Sequence, residues 1–229
     1  VLISEIISQV LDFTDNIPAS DGDYAARRTR YQNYLREVVA ELWYAREWPF
    51  ARKTDTVTVT APNGYGVLPD DFLRLGDYGS VLLASYRHWD PLENVPEYEI
   101  IQVRNTNLKT ETPEMFSIFG FDTASGNPLI QFPYNSADYD VLVSFIMKAP
   151  EIDENTNDSA LDESIPVQYH QRVIVPGVQS RSLESKGDAS WNTYYGRFTA
   201  ALGEMKANER RRQGTIWQMP NFFGDRRAR

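Results

Sequence analysis

The chain has 229 residues, enough for one large or two small domains with a sizeable core. It contains no cysteine, which excludes disulfides and thiolate metal sites, and no run of about 18 apolar residues that would cross a bilayer. A net charge of −9 argues against a body that grips nucleic acid through phosphate contacts over its whole surface. The charge is uneven, however. Residues 206–229 carry seven basic side chains (Lys206, Arg210, Arg211, Arg212, Arg226, Arg227 and Arg229) against Glu209 and Asp225, so that end is +5 and the remainder −14. Such a split between body and end marks an interaction tail. The first residues lack the basic stretch and apolar core of a secretory signal.

In chain order, residues 2–13 place Leu2, Ile3, Ile6, Ile7, Val10 and Leu11 at helical spacing. A loop over 18–23 follows, with Asp21 or Asp23 able to cap the next helix. That helix, 24–47, carries Tyr31, Leu35, Val38, Val39 and Leu42 on one stripe with Trp43 on its flank. Trp48-Pro49-Phe50 ends it, because the residue before proline is pushed out of the α region. The period then changes to two. Residues 53–60 alternate as a half-exposed strand, and Asn63-Gly64 is a hairpin signal. The run 67–75 reads as a strand broken by a corner. Pro69 fixes φ, and Asp70 and Asp71 cap one helical turn that presses Phe72, Leu73 and Leu75 onto a core. Further strands are expected at 80–85, 115–121, 129–132 and 139–148, with a short helix at 95–103.

Residues 151–163 hold six acidic and no basic side chains and read as a solvated linker. Helical spacing returns with Pro166 in a first-turn position, then Val167, His170, Val173, Ile174 and Val178 along one side to Leu183. Pro176-Gly177 should kink or weaken this helix. Gly187 closes it, and Asp188 or Ser190 caps a last helix over 191–212 with Tyr194, Tyr195, Phe198, Ala201, Leu202 and Met205 inward. Neither helical pair can bury its stripes alone. The expected fold is therefore α+β: a four-helix bundle from 1–52 and 164–213, an inserted antiparallel β-domain at 53–150, the acidic linker at 151–163 and an extended tail at 214–229.

The residues offer little chemistry. His170 lies on an apolar helical side without a metal-ligand partner four residues away and reads as a packed or surface histidine. His88 with Asp90 lacks a nucleophile elbow to complete it. Adjacent Asp70 and Asp71 point apart and suit capping better than acid–base work. Asp153-x-Asn155-x-Asn157 begins like a calcium loop, but Asp158 stands where glycine is needed and Ser164 where glutamate is needed. No phosphate-cradling glycine loop is present, and no cofactor is expected. Three readings compete: an assembly protein, a β-module that binds carbohydrate or protein through Tyr86 and Trp89, and, with least behind it, a hydrolase using Asp90 or Glu93. The tail is the segment least at ease as a mere chain end. Ile216, Trp217, Met219, Phe222 and Phe223 cannot form a core of their own, and with Arg226, Arg227 and Arg229 they are residue types that dominate protein interfaces.

The combination resembles a family. Leu42-Trp43 with Trp48-Pro49-Phe50 closes an early helix, and Leu68-Pro69-Asp70-Asp71-Phe72-Leu73-Arg74-Leu75 follows a strand. Leu129-Ile130-Gln131-Phe132-Pro133 precedes a long strand and the acidic stretch. Ile165-Pro166-Val167 then leads to Gly187-Asp188, an aromatic helix and a basic end. In this order the elements are similar to head-to-tail adaptor (tail tubular protein A-like) proteins of tailed bacteriophages. The resemblance implies a non-enzymatic virion protein, made in the host cytoplasm. It forms a ring, usually of twelve copies, beneath the portal protein. The ring continues the DNA channel without sequence-specific binding and docks the tail nozzle or fibres, with no membrane involved. The resemblance further implies that 214–229 reaches the portal and that Pro69, Asp70, Asp71, Phe72 and Leu73 are a structural corner.

Overall fold

The computed structural model describes residues 2–15, 22–76, 80–83, 91–105, 113–133, 137–153, 155 and 157–217, with side chains as far as 208. Among them are six α-helices and two four-stranded sheets, an α+β fold. The chain divides into two compact units, Pro49–Lys148 and the two flanking stretches Val1–Trp48 and Ala149–Arg229.

The flanking unit is helical. Helix α1 (Ile3–Thr14) buries Ile3, Ile6, Ile7, Val10 and Leu11, and α2 (Tyr24–Tyr44) buries the expected stripe together with Gln32 and Trp43. Asp23 precedes α2, but its side chain makes no capping bond. After a five-residue α4 (Ala160–Ser164), the chain forms a π-turn (His170–Ile174) that runs directly into α5 (Val175–Ser185). Helix α5 is the hub, in contact with α1, α2 and α6 (Trp191–Trp217). The reason lies at Gly177. A Cβ there would sit 2.6 Å from Val38 Cγ1 on α2 and 3.1 Å from Phe198 on α6, so only glycine lets the three helices meet. Pro176 stands at the second position of α5, directly after the π-turn; its missing N–H withholds one backbone bond from that turn, and the irregularity expected from it falls there. Gly187, at φ +68°, ends the helix, and the Asp188 carboxylate accepts from the Ser190 N–H at 2.9 Å just before α6.

The acidic stretch differs from a solvated linker. Ile152, Ala160 and Leu161 are buried, because the segment packs its few apolar residues onto the helical unit. Gln32 and Arg36 of α2 both donate to the Ile152 carbonyl, at 3.2 and 2.8 Å. Asp158 takes the free donors of α1: its carbonyl accepts from the Ile3 N–H at 2.9 Å and its carboxylate from the Ser4 N–H at 2.7 Å and hydroxyl at 2.6 Å. The acidic charge near the start of α1 also suits its dipole.

The β-unit has β1 (Arg52–Val59), β2 (Tyr65–Val67), β3 (Phe72–Arg74), β4 (Val81–Leu83), β5 (Glu93–Asn94), β6 (Met115–Phe121), β7 (Pro128–Gln131) and β8 (Tyr139–Met147), with α3 (Glu97–Asn105) between β5 and β6. In the first sheet β8 is central. It pairs with β1 along eight residues and, on its other edge, with β3 near Ile146 and with β4 at residues 141–143. The second sheet runs β2-β7-β6-β5. The two share one core, in which Val57, Val141, Val143 and Phe145 face Phe116, Ile130 and Phe132. The sequence predicts an antiparallel insertion, and one pair departs from this: β5 pairs with β6 in parallel, with α3 lying in the crossover such a pair needs.

Candidate functional site

Three places carry the residues singled out by the sequence. The first is the corner. Pro69, Asp70 and Asp71 do not open a helical turn. The Phe72 N–H donates to the Pro69 carbonyl at 3.0 Å, a β-turn that feeds straight into β3. The aspartates reach other elements instead of capping their own. Asp70 accepts from the Asn127 side chain at the β6–β7 turn, while its carbonyl accepts from the Lys148 ammonium at 2.8 Å. Asp71 accepts from the Lys53 ammonium at 2.9 Å, and its carbonyl from the Lys148 N–H at 2.7 Å. The hydrogen bond to Asp71, with Asp55 beside it, holds Lys53 above the usual lysine range. Phe72 is buried against Phe145, whereas Leu73 is half-buried and Leu75 lies against the core edge. The corner joins β1, β3, the end of β8 and the β6–β7 turn. It is a structural joint with its charges tied down.

The second place is His170 with the acidic stretch. The ring is fully buried, and its Nε2–H donates to the Ile165 carbonyl at 2.9 Å. Nδ1 lies 3.5 Å from Asp162 Oδ1. Burial pushes the pKa of His170 down, so the ring is neutral at neutral pH. Asp153 accepts from the Asn155 N–H at 3.0 Å and from Gln32. Asp158 on α1 and Asp153 on Asn155 and Gln32 hold this stretch of chain in place.

The third place is the carboxyl-terminal helix. The helix expected to stop near 212 continues to Trp217, so Ile216 and Trp217 belong to α6 rather than to an aperiodic tail. At 27 residues it is about 40 Å long. Its described inward residues, Phe198, Leu202 and Met205, lie in its first fifteen positions. Met219, Phe222, Phe223, Arg226, Arg227 and Arg229 lie outside the described residues, as do Tyr86, His88, Trp89 and Asp90.

Two groups of residues escaped the sequence reading. Arg104, at the end of α3, stacks 4.7 Å over the Tyr65 ring and donates to the Tyr65 hydroxyl at 2.9 Å and the Phe132 carbonyl at 2.7 Å. It also reaches the Asn63 carbonyl beside Gly64, whose φ of +66° and closeness to the Phe132 and Pro133 carbonyls leave no room for a side chain. In the helical unit, Lys186 pairs with Asp15 and donates to the Thr14 carbonyl at 2.7 Å, and Tyr31 bridges Thr14 to Ser182 at 2.6 Å. No sequence spacing could have linked partners about 150 residues apart.

A cavity of about 210 Å³ in the β-unit is lined by Arg52, Lys53, Thr54, Gly76, Ser144, Phe145 and Ile146. Its hydroxyls bond to each other at 2.7 Å, and Lys53 is held by Asp71. Among the described residues no helix is long and apolar enough to cross a membrane, and no group of three metal-ligating side chains comes together. The chain belongs to the SU10 adaptor protein family, whose model matches residues 2–221. It is thus a phage head-to-tail adaptor-like protein of a structural family. The match stands at the level of phage adaptors and does not single out the tail tubular protein A-like branch. A comparison with curated proteins found no match.

Proposed function

We propose that this protein is the ring beneath the portal at the head–tail junction of a virion. Copies, twelve by the family resemblance, close through one repeated heterologous interface that needs no catalytic residue. The ring extends the DNA channel, and its acidic body leaves the passing DNA ungripped. Helices α1, α2, α5 and α6 act as the four-helix bundle that carries the ring. Residues 214–229 dock on the portal, with Ile216, Trp217, Met219, Phe222 and Phe223 as anchors and Arg226, Arg227 and Arg229 pairing with its carboxylates. The tail nozzle or fibres attach on the opposite side.

The observation that carries this reading is the family match, which spans the whole described fold and runs into the basic end at residue 221. A chain ending at residue 213 tests the docking role. It should keep the unfolding midpoint of the full chain, lose no helix beyond the last turn of α6, and lose portal binding in a pull-down. Undiminished binding by the shortened chain refutes the tail assignment.

A further inference from the structure

The two sheets of the β-unit treat their outer faces differently. On the first sheet the outward pairs are polar: Thr54 bonds Ser144 at 2.7 Å and Thr58 bonds Asp140 at 2.7 Å. This is the ordinary pattern for a sheet with one wet face. On the second sheet, Gly66, Ile130 and Ile118 form the inward row, so the rows on either side of it face out. One outward row is Tyr65, Gln131 and Ser117. It is closed by α3, with Arg104 stacked on Tyr65, and Gln131 and Ser117 are buried. The other is Val67, Leu129 and Phe119, directly opposite one another across β2, β7 and β6. Phe119 and Leu129 in that row are half-buried, with the Phe119 ring 5.4 Å from that of Tyr65. Val67 is 45% exposed, and Phe121 at the strand end is 69% exposed. Three apolar residues in a cross-strand row, with a nearly bare phenylalanine beside them, form a contiguous patch rather than scattered surface residues.

The charge around the patch limits what can cover it. Asp122 follows Phe121, and the Ser125 hydroxyl and N–H hold its carboxylate below the usual range, so it is charged at neutral pH. Glu97 and Glu99 stand on α3, on the same side of the sheet. Residues 49–148 contain seven basic and thirteen acidic side chains, a net of −6, and Arg104, the basic residue beside the covered row, is already bonded within the unit. The acidic β-unit of a second copy pressed onto this face would bring like charges together, whereas a partner with a basic rim would be drawn to it.

We propose that the exposed part of the second sheet's outer face, at Val67 and Phe121 with the half-buried Leu129 and Phe119 between them, is where a tail protein docks, through an apolar plug ringed by lysine or arginine. This rests on the adaptor reading above and specifies the tail-side surface of the same molecule. Val67→Asp/Phe121→Asp tests it, with Val67→Thr/Phe121→Ser as a milder pair should the first fail to fold. Each full-length variant is loaded on portal and titrated with the purified nozzle protein and, separately, the purified fibre protein of the same virion. The expected result is unchanged portal binding and ring assembly, with at least tenfold weaker binding of one of the two tail proteins. Asp122→Lys/Glu99→Lys should weaken the same contact and flatten its salt dependence. Equal tail-protein binding by the patch variants overturns the inference and leaves the adaptor reading standing. Loss of ring assembly also overturns it, assigning the face to a second copy. Displacement of the tail protein by a peptide of residues 214–229 overturns it as well, assigning the face to the chain's own end. If the unaltered chain binds neither portal nor tail protein, the adaptor reading fails and the inference with it.

Discussion

Asp15 shows how single residues hold the helical unit. Its side chain is 5% exposed, and burial alone would raise its pKa. The bond and charge of Lys186, with Tyr31 and Arg27 behind it, outweigh that and hold the carboxyl below the usual range. A carboxylate with a depressed folded pKa contributes stability above its unfolded pKa of about 3.9, and that contribution is lost as pH falls through the folded value. Unfolding midpoints measured from pH 6 down to pH 2 should therefore fall, and Asp15→Asn should lower the plateau near pH 6 and flatten the acid slope. Arg104 is the counterpart in the β-unit. Its fork spans the Tyr65 hydroxyl and the Phe132 carbonyl while the guanidinium stacks on the ring, a geometry lysine cannot reproduce. Arg104→Lys should cost about 1–3 kcal/mol of stability in denaturant titration, since partly buried acceptors lose their donors. The corner aspartates teach the same lesson. The sequence marks a turn at Pro69 from its fixed φ, but it does not say that Asp70 and Asp71 answer to Asn127 and Lys53.

At the scale of elements, α5 decides the helical unit. Its packing depends on the missing Cβ of Gly177, which lets Val38 and Phe198 close on the same point. Gly177→Ala should raise helix propensity locally and still destabilise by about 1–3 kcal/mol through overpacking. Val38→Ala in the same chain should recover part of the loss, because it removes the atom the new methyl meets. A double-mutant cycle by chemical unfolding checks both, and purely additive effects would refute the contact. Periodicity revealed the stripes of α1 and α2 because each buries its apolar residues along one side. It did not reveal α4 or the packing of residues 151–163. There the polar side chains satisfy α1 and α2 rather than water, and composition alone reads polar residues as solvated. Strand β6 did carry a signal: Met115-Phe116-Ser117-Ile118-Phe119-Gly120-Phe121 is apolar on both faces, more than a strand with one wet face needs.

Across the whole molecule, charge and length set the expectations. A body at −14 and an end at +5 favour a partner that brings carboxylates to the tail. Portal binding should accordingly weaken as salt rises. Replacing Arg226, Arg227 and Arg229 together with alanine should weaken it further and remove most of that salt dependence, as measured by titration from 50 to 500 mM NaCl. An unchanged salt profile would place the contact on the aromatic residues alone. The long α6 sharpens this picture, because a helix that continues to Trp217 presents the first tail residues on a regular frame.

By itself the sequence determined the element types, most of their limits, the interruption of a helical pattern by strands, and the family resemblance through Leu68-Pro69-Asp70-Asp71-Phe72 and its neighbours. These follow from local rules: side-chain period, proline and glycine punctuation, and charge density. Only the tertiary structure decided which polar groups meet, that α5 is the hub, that β5 pairs in parallel, and that the second sheet leaves Val67 and Phe121 exposed on its outer face. Those facts depend on residues far apart in the chain approaching within a few ångströms, such as Asp158 on Ser4 or Val67 opposite Leu129. No local pattern encodes such a distance; the joint packing of the elements does.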